Sequence, residues 1–201
     1  MFSARLFGTP TPVHLFMVFA FTAACADRNS QKNQAEETGE ALESEDVVDL
    51  VSFDAWAILE ANEDPYPGHR TENHTCSPRG VLAEEGVLEV NTNDCGYAVL
   101  GQPLSADIEA GDWIELMMYH SALASVDEPA EGHFSLWVGD NLFWERTIAI
   151  PAAPEIYPVP MPVTWSASAG EQVRIHLHNH GGNSWRVAYL KRLRGEAVPS
   201  R

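Results

Sequence analysis

The chain predicts an all-β domain, a two-sheet antiparallel β-sandwich of jelly-roll type, and three observations carry that expectation. Short runs rich in Val, Ile, Leu, Tyr, Phe and Trp recur from residue 47 onward, separated by Gly, Pro, Asn and Asp. Several alternate with period two, so that Phe134, Leu136 and Val138 point one way and His133, Ser135 and Trp137 the other. No amphipathic stretch of ~10–15 residues is present to serve as the crossover helix that a parallel sheet requires.

Taken in order, residues 1–24 hold a single charged side chain, Arg5, then an apolar run over 13–21 and the small residues Thr22-Ala23-Ala24 before Cys25. This is the layout of an export signal, and the apolar run is shorter than the ~20 residues of a spanning helix. Residues 25–46 are polar and then acidic, with Glu36, Glu37, Glu40 and Glu43 and no aromatic side chain. Such a segment cannot bury enough surface to offset its ordering entropy, which predicts a disordered linker. The domain proper is expected over 47–195, with 196–201 as a short tail. Strands are predicted at 50–59, 87–90, 97–100, 113–120, 134–138, 143–150, 163–166, 173–178 and 185–193. The proline-rich stretch 151–162 is expected as a sheet-to-sheet crossing or edge loop, because proline cannot donate to a central ladder.

The formal net charge is -17, and it becomes one unit more negative once Arg5 leaves with the signal. This balance excludes a nucleic acid partner, since phosphate backbones are bound by clustered Lys and Arg. The only basic cluster is Lys191, Arg192 and Arg194, which reads as a solvated strand end. Of the three cysteines, Cys25 belongs to the signal region, leaving Cys76 and Cys95 to pair in an oxidising compartment. A disulfide there closes a loop of about 20 residues and is worth roughly 3 kcal/mol through the unfolded state.

Thr22-Ala23-Ala24-Cys25 resembles the signal of bacterial lipoproteins, although that family prefers Leu where this chain has Thr22. The resemblance implies cleavage before Cys25, lipidation of that residue with diacyl or triacyl chains, and a membrane anchor at the outer membrane or cell surface of a bacterial envelope. Ordinary secretion with cleavage after Ala26, giving a secreted or periplasmic soluble protein, is the alternative. The turns Ala110-Gly111-Asp112 and Ala169-Gly170-Glu171, each directly before a strand, resemble those of bacterial carbohydrate-binding and galactose-binding-like β-sandwich modules. That likeness implies a fold and, more loosely, a glycan ligand.

Chemistry concentrates in Arg174-Ile175-His176-Leu177-His178-Asn179-His180-Gly181-Gly182-Asn183-Ser184-Trp185. On a strand, His176 and His178 share a face ~6.5–7 Å apart, with Val173, Ile175 and Leu177 opposite. Two imidazoles so placed converge on one ion if a neighbouring strand adds a third ligand, and His120 and His133 are the candidates. Imidazole ligands suit zinc or copper. Calcium is a lesser alternative through Glu63-Asp64 or Asn91-Thr92-Asn93-Asp94, whose residues otherwise mark turns. Trp137 and Trp185, with Asn179 and Asn183, are the candidates for a polar ligand such as a glycan. The competing reading makes these histidines the ordinary polar face of an amphipathic strand.

Enzyme signatures are missing: there is no Gly-x-Ser-x-Gly elbow, no His-Glu-x-x-His helix and no phosphate loop. The sequence therefore predicts a non-catalytic binding module. A structural or protein-interaction role docking an envelope protein is the second class, and a metal-dependent hydrolase the third.

Overall fold

A computed structural model describes residues 47–70, 76–126 and 130–194. Cys25, the acidic linker and the C-terminal tail lie outside the described residues. Among the described residues no helix is long and apolar enough to cross a membrane. Eleven strands are described: β1 (Val47–Asp49), β2 (Ala57–Ile58), β3 (Val81–Glu84), β4 (Val87–Asn91), β5 (Tyr97–Pro103), β6 (Trp113–His120), β7 (Ala130–Val138), β8 (Asn141–Ile150), β9 (Glu155–Pro162), β10 (Gln172–Asn179) and β11 (Ser184–Leu193).

They form the two-sheet antiparallel sandwich that the sequence predicts. One sheet runs β3-β4-β11-β6-β9, with β1 joined to the far end of β11, and the other runs β2-β5-β10-β7-β8. All the strand pairings are antiparallel. Residue alternation sets which face is buried. Ile114, Leu116 and Met118 of β6 meet Phe134, Leu136 and Val138 of β7 and Val173, Ile175 and Leu177 of β10 in one core. Each such side chain, once withdrawn from water, contributes about 1.5–3 kcal/mol.

Trp185 anchors this core. It is 1% exposed, its ring lies parallel to Phe134 across the sheets at 6.2 Å, and its Nε1–H donates to Asn179 Oδ1. Asn179 in turn donates to Thr92 Oγ1 and to the Gly181 carbonyl. A polar knot is thereby satisfied inside the sandwich, as burial demands. Asn183 closes the same knot through its backbone, its amide donating to Thr92 Oγ1 and its carbonyl accepting from the Thr92 amide.

Four local expectations are corrected. Residues 50–56 are not strand: Leu50 still donates to Leu190 of the first sheet, but β2 pairs with β5 of the second, so this segment crosses between them. The proline-rich stretch is a strand, β9, on the edge beside β6. Pro158, Pro160 and Pro162 alternate with Val159 and Met161, so over 158–162 the remaining amides point to one side, where an edge strand needs them. Residues 163–166 are irregular, because the pairing with β6 ends at Trp113 and the chain leaves the sheet toward the bridge between Ala167 and Ile108. Finally, β3 lies where the sequence pattern predicts no strand. It is joined to β4 by the two-residue turn Glu85-Gly86, both at positive φ (52 and 79), which is the hairpin geometry that suits strand twist.

The Gly111 and Gly170 turns have the positive φ (102 and 91) that explains glycine there. Cys76 and Cys95 are joined in a disulfide.

Two outcomes follow for stability. A Cβ on Gly132, which sits opposite Asn179, would stand 2.7 Å from Asn179 Oδ1 and 2.7 Å from Trp185 Cζ2. Gly132→Ala is therefore expected to destabilise the domain by about 1–3 kcal/mol, read as a lower urea midpoint at unchanged m-value. Cys76→Ser/Cys95→Ser is expected to cost about 2–4 kcal/mol, and a thermal melt within one degree of the parent would refute it.

Candidate metal centre

The outer face of the second sheet carries the site. Antiparallel register lines up Tyr97, His178, His133 and Thr147 in one row and Val99, His176, Ser135 and Glu145 in the next. His176 and His178 share this face, and His133 stands beside His178 on the neighbouring strand. A polar row facing water would leave them exposed, yet His176 is 0% exposed. The cause is the segment 59–70, which folds over the sheet through two short 3-10 turns, Ala61–Glu63 and Pro67–His69.

Within that segment Asp64, Tyr66 and His69 are interspersed with Pro65 and Pro67. The prolines restrict φ and make the covering loop stiff. Asp64 is its anchor. Its carboxylate accepts from His176 Nδ1 at 2.9 Å, from the Tyr66 amide at 2.8 Å and from the Tyr97 hydroxyl. Burial opposes its ionisation, but the His176 and Tyr66 hydrogen bonds, with the His176 and His69 charges, outweigh burial and hold the carboxyl below its usual range. Burial pushes the His176 imidazole down despite Asp64, and the neighbouring His133 and His69 push the same way, so the ring is neutral near pH 7.

Three imidazoles meet under the loop. His69, His133 and His176 have ring centroids 5.1, 5.3 and 5.2 Å apart, and each offers one ring nitrogen within 4.8 Å of the other two. His133 Nε2 lies 2.7 Å from Glu145 Oε1, which also accepts from the Tyr66 hydroxyl at 2.6 Å. These two bonds, led by Tyr66, hold Glu145 below its usual carboxylate range. The Tyr66 hydroxyl is pushed up to about 12, first by burial and then by Glu145. Its ring stacks on His69 at 5.0 Å and meets His133 edge-on at 4.9 Å.

The carboxylates fix the tautomers. An ionised carboxylate can only accept, so His176 donates Nδ1–H to Asp64 and His133 donates Nε2–H to Glu145. What remains is a lone pair on His176 Nε2 and another on His133 Nδ1. Both atoms, and His69 Nδ1, are buried without a hydrogen-bond partner among the described residues. Leaving such groups unpaired costs about 1–3 kcal/mol apiece. A metal ion is one partner that such nitrogens accept, and backing carboxylates are what metal-bound histidines usually have. Tetrahedral zinc brings its nitrogens to roughly 3.3 Å from one another, inside the 4.8 Å within which these three ring nitrogens lie, and His69 is the most accessible of the three.

The other expected site residues fall elsewhere. His120 is not in the cluster: it ends β6 on the inward face of the opposite sheet, with Nδ1 at the Ser121 carbonyl and its ring against Trp185. Trp185 and Asn179 are interior and present no ligand surface, and Asn183 is half-buried in the turn after β10. Trp137 is on the outer face, 6.0 Å from Tyr66, with Nε1 donating to Ser135 Oγ. His178 and His180 lie beside the triad in an open cleft of about 570 Å³, lined also by Tyr66, His69, Glu131, His133, Glu145 and Thr147. The oxygen-rich stretch at 91–94 is an Asx turn, Asn91 Oδ1 accepting from the Asn93 amide, and the oxygens of Asp64 are occupied by donors.

Sequence reasoning misses Tyr66 and His69, and takes Asp64 only as an oxygen ligand for calcium. The signal is present in Asp64-Pro65-Tyr66-Pro67-Gly68-His69, where two prolines bracket a tyrosine between an acid and an imidazole.

The chain matches no known family profile and no curated protein sequence. Its fold is similar to several solved β-sandwiches. A xylan-binding module, CBM15, is 9% identical with a TM-score of 0.43, covering 76% of this chain and 98% of that one. The K3 cleaved adhesin domain of Lys-gingipain from Porphyromonas gingivalis is 10% identical at 0.40, covering 69% and 91%. A CBM4 structure is 12% identical at 0.39, covering 71% and 89%.

Removing the anchor tests how the loop is held. Asp64→Ala is expected to cost on the order of 2–3 kcal/mol, because it strips partners from buried donors. It should also open the segment 59–70 to limited proteolysis. Unchanged protection of that segment would show that Asp64 does not hold it.

Proposed function

We propose that this domain is a non-catalytic binding module for a divalent transition metal, held by His69, His133 and His176. The observation that carries the reading is three imidazoles that each offer one ring nitrogen within 4.8 Å of the other two, on rings that each also bear a buried nitrogen without a hydrogen-bond partner and two of which are backed by Asp64 and Glu145. The donor set is all nitrogen, which favours zinc or copper over calcium or magnesium. Two ionised carboxylates behind the ligands balance the charge of the ion and raise the basicity of the rings.

A binding rather than hydrolytic role follows from the same geometry. Metal-dependent hydrolysis needs an open coordination position beside a free base. Here the three nitrogens are closed off from solvent, and Asp64 and Glu145 are engaged behind the histidines. A second reading, a glycan in the cleft, is favoured by Tyr66 lying beside Glu131, Glu145 and Thr147, an aromatic face next to hydrogen-bonding groups. In the setting we propose for either reading, an exported protein tethered through lipid at Cys25, the module faces ions and polymers of the envelope.

The test is a calorimetric titration of the full chain, purified in mild detergent without a histidine tag, with zinc and with copper. One tight equivalent is expected, with a rise in melting temperature matching the ~2.7 kcal/mol that ligand at a hundred times Kd supplies. His69→Ala, on the accessible member of the triad, should weaken that equivalent at least tenfold with an unchanged circular dichroism spectrum. Failure of the parent chain to bind either ion sinks the reading and leaves glycan arrays as the next measurement.

A further inference from the structure

His178 and His180 are not part of the triad, yet they lead to it. The exposure of the imidazoles falls along a path: His180 is exposed, His178 half-buried, and His133 and His176 buried. Ring centroids are 4.5 Å apart from His180 to His178 and 5.9 Å from His178 to His69. All but His176 line the same cleft, which Glu131 also borders.

The His178–His180 pair itself has ligand geometry. Their Nε2 atoms are 2.9 Å apart, a few tenths of an ångström inside the roughly 3.3 Å between two nitrogens bound to one tetrahedral ion at ~2.0–2.1 Å. In the free protein one Nε2–H is directed at the other Nε2. An ion held by both Nε2 atoms takes each ring as its Nδ1–H tautomer, so the proton released from that Nε2 to water is matched by one taken up at Nδ1 and the ring stays neutral.

The position of His180 is built rather than incidental. Its amide donates to the Glu131 carbonyl, its own carbonyl accepts from Ser125 Oγ, and the Gly182 amide donates to the Ala124 carbonyl. Gly181 is packed so that a Cβ would stand 2.2 Å from the Ala124 oxygen, so this turn admits glycine alone without shifting. A rigid turn therefore presents His180 to His178 just past the end of β10.

We propose that His178 and His180 form a second, outer metal subsite at the mouth of the cleft, which captures a divalent transition metal and passes it to the buried triad. This rests on the triad being a metal site. Transfer by exchange of one imidazole for another never requires the bare ion, and His69 is the ligand within reach of both stations.

The experiment is a zinc titration of the full chain followed by stopped-flow loading at substoichiometric zinc. The parent should bind two equivalents, the outer at least tenfold weaker than the inner. His178→Ala/His180→Ala, at accessible positions, should lose the weak equivalent, keep the tight one within about threefold, and load severalfold more slowly. His69→Ala should show the converse, losing the tight equivalent and retaining the weak one. One equivalent in the parent, or loading unchanged in the double variant, overturns the outer subsite while leaving the triad standing. No equivalent in the parent overturns both, and loss of the tight equivalent in a folded double variant overturns the division into two stations.

Discussion

The buried hydrogen bond between Asp64 and His176 organises the functional face of this protein. Without it, the outer face of the second sheet would be a row of wet polar side chains like that of any amphipathic sheet. With it, a proline-stiffened loop is drawn down over the sheet, Tyr66 stacks on His69, and His69 is held beside the buried His133 and His176. The bond also decides chemistry at the far side of the ring, because donating Nδ1–H leaves the lone pair on Nε2. One carboxylate thus supplies attachment and tautomer at once, and Glu145 repeats the second for His133 from β8.

The interior supports this face from behind. Trp185, Asn179 and Gly132 meet on the inward side of β10 and β7, and their fit fixes the register of those two strands. Because a strand alternates, fixing Leu177 and Asn179 inward fixes His176 and His178 outward. A slip of one residue would bury the histidines in the hydrocarbon core and expose the leucine. Register in the core and assembly of the site are therefore one constraint seen from two faces.

Much of this is legible in the amino-acid sequence. The period-two pattern in β6, β7 and β10 identifies the strands, and β6 has the predicted bounds, because a half-buried strand records its own orientation in the chain. It also identifies His133, His176 and His178 as a group. Two kinds of information are missing from it. Alternation says that residues share a face but not which sheet that face belongs to, so His120, inward on the opposite sheet, looks equivalent to His133. A covering loop has no periodicity at all, so Asp64, 112 residues from His176, and His69, on the same loop, leave only a proline-bracketed motif. The strand β9 is hidden for a third reason, since proline lowers strand propensity generally while being tolerated at one specific place, the outer side of an edge.

That edge has a further consequence. With proline at 158, 160 and 162, β9 lacks amide donors on its outer side along that stretch, so a neighbouring copy finds no ladder there on which to add a hydrogen-bonded strand and extend the first sheet. Where many copies are crowded together, this stretch of the margin is a poor template for the growth of a fibril. The same prolines that disguise a strand in the sequence make it a terminus in space.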